Sequence, residues 1–172
     1  MHYLPLALVA TGISLLFIAY LIRERISWRH KLRRDQASRV RQRLRDIPEW
    51  GRQLAYLRKI NPFTFEELIL DALELKGYEV IRNSRYTGDG GIDGQVRVNG
   101  QLYYIQAKRY QGYIQAAHVA AFAQLCKHNN VKGLFVHTGK TRPGTRQTLH
   151  ENERLTLVSG KKLISLIMVE GK

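Results

Sequence analysis

The sequence predicts a mixed α/β domain over residues 61 to 172, in which one β-sheet is flanked by helices. Two observations carry this prediction. The dipeptide Asn99-Gly100 separates two segments in which apolar and polar residues alternate, and this is the strongest short signal for a β-hairpin. Segments with helical periodicity lie on both sides of that hairpin. The expected order of elements, α-β-β-β-α-β-α-β-α, indicates a mixed sheet covered by helices.

The first helix of this domain is expected directly after Asn61-Pro62, which ends the preceding segment. Thr64 is the predicted N-cap, and Glu67 three residues later completes a capping box. Gly77 ends the helix. The first strand is expected over Tyr78 to Ile81.

The predicted hairpin supplies the second and third strands, over Gln95 to Val98 and Gln101 to Lys108. Val96 and Val98 point inward in the second strand, as do Ile105 and Ala107 in the third. The remaining elements are predicted in this order: a helix over Gln115 to His128, a buried strand over Gly133 to His137, a helix over Thr145 to Glu153, a strand over Leu155 to Val158, and a helix over Lys162 to Val169.

A different kind of segment precedes the domain, because residues 3 to 22 carry no charged side chain. A helix of this length covers the roughly 30 Å hydrocarbon core of a bilayer. A cleavable signal and a buried globular helix are the competing interpretations. We expect an uncleaved single-pass anchor over residues 1 to 22, because no basic residue precedes the apolar run and no convincing cleavage site follows it.

Positive charge is concentrated just after this segment. Residues 23 to 45 carry +8 of the net charge of +14, which by the positive-inside rule places the following domain in the cytoplasm. Residues 23 to 60 are interpreted as a basic, mostly helical linker without a continuous core face. Anionic lipid and DNA phosphates are both candidate partners for the linker. The single cysteine, Cys126, excludes an internal disulfide and a cysteine-based zinc site.

The candidate chemistry lies on the hairpin. Gln106 and Lys108 are two residues apart on one strand, so their side chains share a face. Counting back from the turn places Asp93 opposite them. A carboxylate and an amide carbonyl offer the hard oxygen ligands that Mg²⁺ prefers. The lysine ammonium can stabilise charge that develops on a phosphate or orient a water molecule. The pattern therefore predicts a phosphodiester-cleaving site.

Four sequence motifs resemble those of the Mrr-type restriction endonucleases of the PD-(D/E)XK superfamily. They are Phe65-Glu66, the segment Gly88-Asp89-Gly90-Gly91-Ile92-Asp93, Gln106-Ala107-Lys108, and the closing segment from Leu155 to Leu163. The resemblance covers about residues 62 to 169 and implies a restriction-endonuclease-like fold.

The resemblance also implies roles for individual residues. Asp93 is the implied catalytic metal ligand, Gln106 stands where the superfamily more often has an acid, and Lys108 is the catalytic lysine. Glu66 is implied to approach the metal from the first helix; without the resemblance it is interpreted as helix surface. The implied cofactor is Mg²⁺, with Mn²⁺ as a substitute. The predicted strand ending at His137 continues as His137-Thr138-Gly139-Lys140, whereas the family often has Thr-Thr or Thr-Ser after this strand. His137 is a candidate for contacting phosphate or tuning the site, but we favour a structural role.

Basic and aromatic residues near the site are candidate DNA contacts, since aromatic rings stack on bases and cations hold phosphates. The candidates are Arg85, Arg109, Tyr110 and Lys140. Tyr103, Tyr104 and Tyr113 lie in the same part of the chain. With Tyr110 they make four tyrosines, of which two are expected in the core.

The sequence thus predicts a membrane-anchored, Mg²⁺-dependent endonuclease acting on double-stranded DNA, with restriction of foreign or modified DNA as its candidate role. The expected location is a bacterial cytoplasmic membrane, with the N-terminus outside and the nuclease domain in the cytoplasm. Double-strand cleavage would require a homodimer or two binding events. The alternatives are a catalytically silent DNA-binding module at the membrane and a lipid-binding membrane protein.

Overall fold

The computed structural model describes residues 3–83, 91–144 and 153–169, with side chains described from 13 to 21 and from 28 onward in those ranges. The described elements are α1 (Tyr3–Arg45), α2 (Trp50–Leu57), α3 (Pro62–Leu75), β1 (Glu79–Arg82), β2 (Gly94–Val98), β3 (Gln101–Lys108), α4 (Ala116–His128), β4 (Lys132–His137), β5 (Leu155–Val158) and α5 (Gly160–Ile167). The helix predicted over 145 to 153 falls almost wholly outside the described residues.

The five strands form one mixed sheet in the order β1-β2-β3-β4-β5. Strand β2 runs antiparallel to both β1 and β3, whereas β4 runs parallel to both β3 and β5. Asn99 and Gly100 both have positive φ, 50° and 79°, which a tight two-residue hairpin turn requires. The predicted mixed sheet and the hairpin at its centre are confirmed.

The start of α3 differs from the prediction. Asn61 is the N-cap: its side-chain oxygen accepts hydrogen bonds from the backbone nitrogens of Phe63 and Thr64, at 3.0 and 3.4 Å. Pro62 then occupies the first turn, where its missing N–H costs nothing. The predicted cap at Thr64 with a capping box to Glu67 is therefore wrong. The Thr64 hydroxyl instead donates to Gln36 of α1 at 2.9 Å.

Helices cover both faces of the sheet. One hydrophobic cluster joins the inward residues Val96, Ile105, Ala107 and Val136 to helices α1, α2, α3 and α5. A second cluster packs α4 against the other face, around Phe122, Phe135 and Leu155. Strand alternation thus directs Ile105 and Ala107 into one core, as predicted, and leaves Gln106 between them for the opposite face.

The second half of α1 belongs to the first core. Ala37, Val40 and Leu44 are buried there, together with Leu54 and Leu57 of α2. The expectation that residues 23 to 60 lack a core face is wrong in this respect. Three apolar residues spaced by three and four positions form a narrow stripe, and a narrow stripe is sufficient where one helix crosses another. The proposed domain boundaries at residues 22 and 60 stay a prediction.

An ionic network beside this stripe fastens α1 to α3 and β1. Glu67 is only 1% exposed and contacts His30 at 2.9 Å and Arg82 at 3.2 Å. Arg82 also contacts Asp71 at 2.6 Å and Glu74 at 2.9 Å, and Arg34 of α1 reaches the same two acids at 3.2 Å. Burial of the Glu67 carboxylate is tolerated here because the Arg82 guanidinium and the His30 imidazole both contact it.

The N-terminal half of α1 has a different environment. The side chains of residues 13 to 21 are all exposed, and they include Leu16, Phe17 and Ile18 at 73%, 60% and 51% exposure. The other side chains of the predicted anchor, residues 3 to 12 and 22, lie outside the described set. Among the described residues, no helix combines the length and apolar character needed to cross a membrane.

Candidate active site

The candidate site lies at the edge of the sheet where β2 begins and where β3 and β4 end. Gly94 pairs with Ile105 and Lys108 pairs with His137. Asp93, directly before β2, donates its backbone N–H to the Ile105 carbonyl at 2.8 Å, and its carboxylate accepts the N–H of Ala107 at 2.7 Å. The predicted register is confirmed, since Asp93 lies across from Gln106.

The Gln106 side chain is oriented by its amide nitrogen. The nitrogen donates to the Gly91 carbonyl at 2.6 Å, and the side chain is 7% exposed. The other end of the amide, Oε1, is buried and has no hydrogen-bond partner among the described residues. A buried acceptor without a partner costs about 1–3 kcal/mol. This oxygen is therefore placed to receive a donor or a cation.

Gly91 permits this contact. Its φ is +90°, and a Cβ added there would lie 2.9 Å from the Gln106 amide nitrogen. Only glycine tolerates that φ without strain. In the sequence, Gly91 is recognised only as part of the segment from Gly88 to Asp93, and its effect on the Gln106 amide emerges from the tertiary contact alone.

Glu66 of α3 faces the same site. Its pKa is raised from 4.5 to about 8, first because the carboxyl is partly buried and next because of the Asp93 carboxylate, while Lys108 acts in the opposite direction. Glu66 is therefore partly buried near Asp93, and the interpretation of this residue as helix surface is wrong. The structure brings Glu66, Asp93 and Lys108 close enough to affect one another's charge.

The donor set fits a divalent cation. Two carboxylates and an unpartnered amide oxygen are hard ligands, and Mg²⁺ commonly binds one or two carboxylates and keeps several waters. Within the described ranges, no cluster of three or more His, Cys, Asp or Glu side chains could hold a metal ion. The oxygen donors that the candidate site offers are the carboxylates of Asp93 and Glu66 and the amide oxygen of Gln106.

Several predicted DNA contacts take part in scaffolding. Arg109 donates to the backbone carbonyl of Arg58 at the end of α2. The Tyr110 hydroxyl is 2.7 Å from His118 of α4, and its backbone N–H donates to the Thr138 hydroxyl at 2.9 Å. Lys140 is exposed, whereas Arg85 lies outside the described residues. The DNA-binding role of all four residues stays a prediction.

His137 is fully buried at the end of β4, with its ring centroid 5.9 Å from that of Phe135 and 6.5 Å from that of Tyr110. Burial lowers its pKa to about 4, so the imidazole is neutral near pH 7. A neutral imidazole ring that is fully buried agrees with the interpretation of His137 as a structural residue.

The support behind α3 was not predicted. Glu67 precedes Leu68 and Ile69 on the buried side of the helix, and a charged residue among apolar neighbours was the available signal. The contact of Glu67 with His30 and its ion pair with Arg82 hold the helix turn that carries Glu66.

The five-stranded mixed sheet with helices on both faces is the restriction-endonuclease fold. A solved structure, the MspJI restriction endonuclease in complex with a 27-mer oligonucleotide, shares this fold with a TM-score of 0.53 and 20% identity, over 68% of this chain and 30% of that one.

The family follows from the sequence. A family model for the Mrr catalytic domain, described as a restriction endonuclease, matches residues 57–167. The chain therefore belongs to the Mrr-type restriction endonuclease family, and the expectation of an endodeoxyribonuclease is confirmed at the level of the family. The type IV methyl-directed restriction enzyme EcoKMrr of Escherichia coli K12 is 32% identical over 127 residues, which are 69% of this chain. The chain spans about two fifths (41%) of that relative's length.

Proposed function

We propose that this chain is a Mg²⁺-dependent endonuclease that hydrolyses phosphodiester bonds in double-stranded DNA. The observation that carries the proposal is the buried Oε1 of Gln106 beside Asp93, which has no hydrogen-bond partner in the part of the chain that the structure describes. Restriction endonuclease domains typically use divalent metal ions, and the three oxygen donors described above suit Mg²⁺, with Mn²⁺ as a substitute. Restriction of foreign or modified DNA would be the biological setting.

Each residue has a separate task in this proposal. Asp93, Gln106 and Glu66 would hold the cation, which when bound supplies Lewis-acid stabilisation of the phosphate and a more acidic water. The backbone N–H of Ala107 fixes the Asp93 carboxylate, and Gly91 fixes the Gln106 amide. Lys108 would place its ammonium beside the scissile phosphate and stabilise charge that develops there. Glu66 must release its proton before it can act as a ligand.

A plasmid-nicking assay tests the proposal. Purified full-length protein is incubated with supercoiled plasmid in EDTA, Mg²⁺ or Mn²⁺, and nicked and linear products are quantified. Cleavage should require the metal, and Asp93→Ala or Lys108→Ala should lower the rate by at least about 100-fold, since each removes a group acting in the transition state. Glu79→Ala and Lys76→Ala make the same changes of charge at exposed positions and should leave the rate unchanged.

The same assay separates cleavage from binding alone. If wild type shifts DNA on a gel but cuts neither methylated nor unmethylated plasmid with any divalent metal, the chain is a silent DNA-binding module and the endonuclease proposal fails. Linear product that forms without a nicked intermediate, with a rate depending on the square of protein concentration, would support a homodimer.

We also propose that residues 1 to 22 anchor the chain in a bacterial cytoplasmic membrane, with the nuclease domain in the cytoplasm. The uncharged sequence of residues 3 to 22, the exposed apolar side chains of residues 13 to 21 and the basic segment that follows support this proposal. Wild type should stay in the membrane pellet after alkaline carbonate extraction, whereas Leu16→Lys combined with Phe17→Lys should release it. A soluble wild-type protein would refute the proposal.

A further inference from the structure

Two loops leave the sheet beside the candidate site. One follows Lys108 at the end of β3, and the other follows His137 at the end of β4. Lys108 and His137 are partners in the parallel register, so both loops start at the edge where Asp93 enters β2. Substrate bound at Asp93 and Lys108 would therefore have to pass close to them.

Hydrogen bonds from the Thr138 hydroxyl and from the Lys140 backbone join the two loops into one platform, which we define as residues 109–114 and 138–142. The Thr138 hydroxyl accepts the N–H of Tyr110 at 2.9 Å and donates to the Tyr110 carbonyl at 2.8 Å. Lys140 donates its N–H to Gly112 at 2.8 Å and accepts that of Ile114 at 3.0 Å.

Close packing reinforces the platform. A Cβ added to Gly139 would lie 2.8 Å from both the Gly112 carbonyl oxygen and the Tyr110 Cβ, so the two loops touch at this point. Ile114 is 5% exposed and anchors the first loop in the cluster under α4. A loop that is paired and anchored in this way holds its side chains in place without needing a ligand.

The platform carries an exposed aromatic ring in a cation–π contact. Tyr113 is 52% exposed, and the Arg142 guanidinium carbon lies 4.9 Å from its ring centroid. Tyr110, by contrast, is half-buried and held by His118. The two tyrosines of this loop thus differ: Tyr110 is part of the scaffold, and Tyr113 presents its ring to solvent. Lys140 is exposed on the other loop of the platform.

We propose that Tyr113 stacks on an unpaired or unstacked DNA base next to the cleaved phosphodiester, with Arg142 and Lys140 contacting the flanking phosphates. This inference rests on the proposed function and adds to it a preference for locally distorted DNA. An aromatic ring stacks on any base whose face is accessible. A fully paired duplex hides those faces, so the contribution of Tyr113 depends on the DNA being distorted.

Fluorescence anisotropy in EDTA tests the inference without cleavage. The probes are a short labelled duplex with one unpaired thymine and the fully paired duplex. Tyr113→Ala should weaken binding to the first probe by roughly tenfold, the effect of one lost base stack, and binding to the second by much less. Tyr113→Phe keeps the ring and should bind as wild type does. Circular dichroism melts check that the variants fold.

Salt dependence distinguishes stacking from charge. Tyr113→Ala should leave the slope of log Kd against log salt unchanged, whereas Lys140→Ala and Arg142→Ala should each reduce it by about one. Lys76→Ala is the matched control for loss of an exposed cation and should leave the slope unchanged. Equal affinities of folded Tyr113→Ala and wild type for the unpaired-base probe would overturn the inference while leaving the endonuclease proposal intact. Failure of wild type to bind either probe would overturn both.

Discussion

Replacing Glu66 by glutamine should stabilise the metal-free protein at alkaline pH. Burial and the Asp93 carboxylate raise the pKa of Glu66 from 4.5 to about 8, so the folded state favours the protonated carboxyl. The stabilisation linked to that proton is fully present below pH 4.5 and is lost as the pH rises through about 8. Glutamine keeps the size of the side chain and cannot ionise.

The size of the effect follows from the same shift. A change from 4.5 to about 8 corresponds to about 5 kcal/mol at 1.36 kcal/mol per pKa unit, as an upper limit. Glu66 retains partial contact with water, and solvent screening reduces this limit to roughly 1–2 kcal/mol. For a chain of this length, that gain raises Tm by roughly 2–8 °C.

Thermal unfolding followed by circular dichroism in EDTA measures the difference. At pH 9 Glu66→Gln should melt above wild type, and at about pH 4, where Glu66 is protonated in both the folded and the unfolded chain, the two should agree. Glu79→Gln, at a side chain that is 67% exposed, controls for the loss of a carboxylate and should show no such pH dependence. Adding Mg²⁺ at pH 9 should raise the Tm of wild type more than that of the variant.

Equal Tm values for Glu66→Gln and wild type at pH 9 in EDTA would refute the reasoning. That result would mean that the Glu66 carboxylate is not held against Asp93 in a partly dehydrated site.

Three further predictions follow from the packing. Leu44→Ala should lower the free energy of unfolding by about 2–5 kcal/mol in a urea titration, because Leu44 is fully buried where α1 meets the core; a loss below about 0.5 kcal/mol would show that α1 is not docked. Gly91→Ala should weaken Mg²⁺ binding in calorimetry by about tenfold, since the new Cβ would displace the Gln106 amide; unchanged affinity would remove Gln106 from the ligand set. Wild type should lose stability as the pH falls from 6.5 to 4, because the pKa of His137 is lowered in the folded state. His137→Phe should therefore lose less stability than wild type over this range. Identical profiles of Tm against pH would contradict this.

The hairpin shows how much could be predicted from local sequence. The bounds of β3 and β5 agree with the prediction to the residue, and those of β1, β2 and β4 to within one residue. Asn99-Gly100 determines a turn that closes within two residues, and strand alternation then determines which side chains share a face. The placement of Asp93 opposite Gln106 followed from these two rules.

The position of α1 could not be predicted in the same way. His30 and Glu67 are separated by 37 residues, and no local rule says which helix surfaces will meet. The Thr64 hydroxyl likewise contacts Gln36 of α1, 28 residues earlier in the chain. Long-range contacts of this kind depend on the whole packed arrangement.

The sequence by itself determined the hairpin, the spacing of Asp93, Gln106 and Lys108, and the likeness to Mrr-type endonucleases, because each depends on neighbouring or hairpin-paired residues. Only the tertiary structure decided that the Gln106 oxygen is buried with no partner among the described residues, that the Asp93 carboxylate raises the pKa of Glu66, and that Arg109 donates to the Arg58 carbonyl. The physical reason is that side-chain orientation and charge depend on groups brought together from distant parts of the chain.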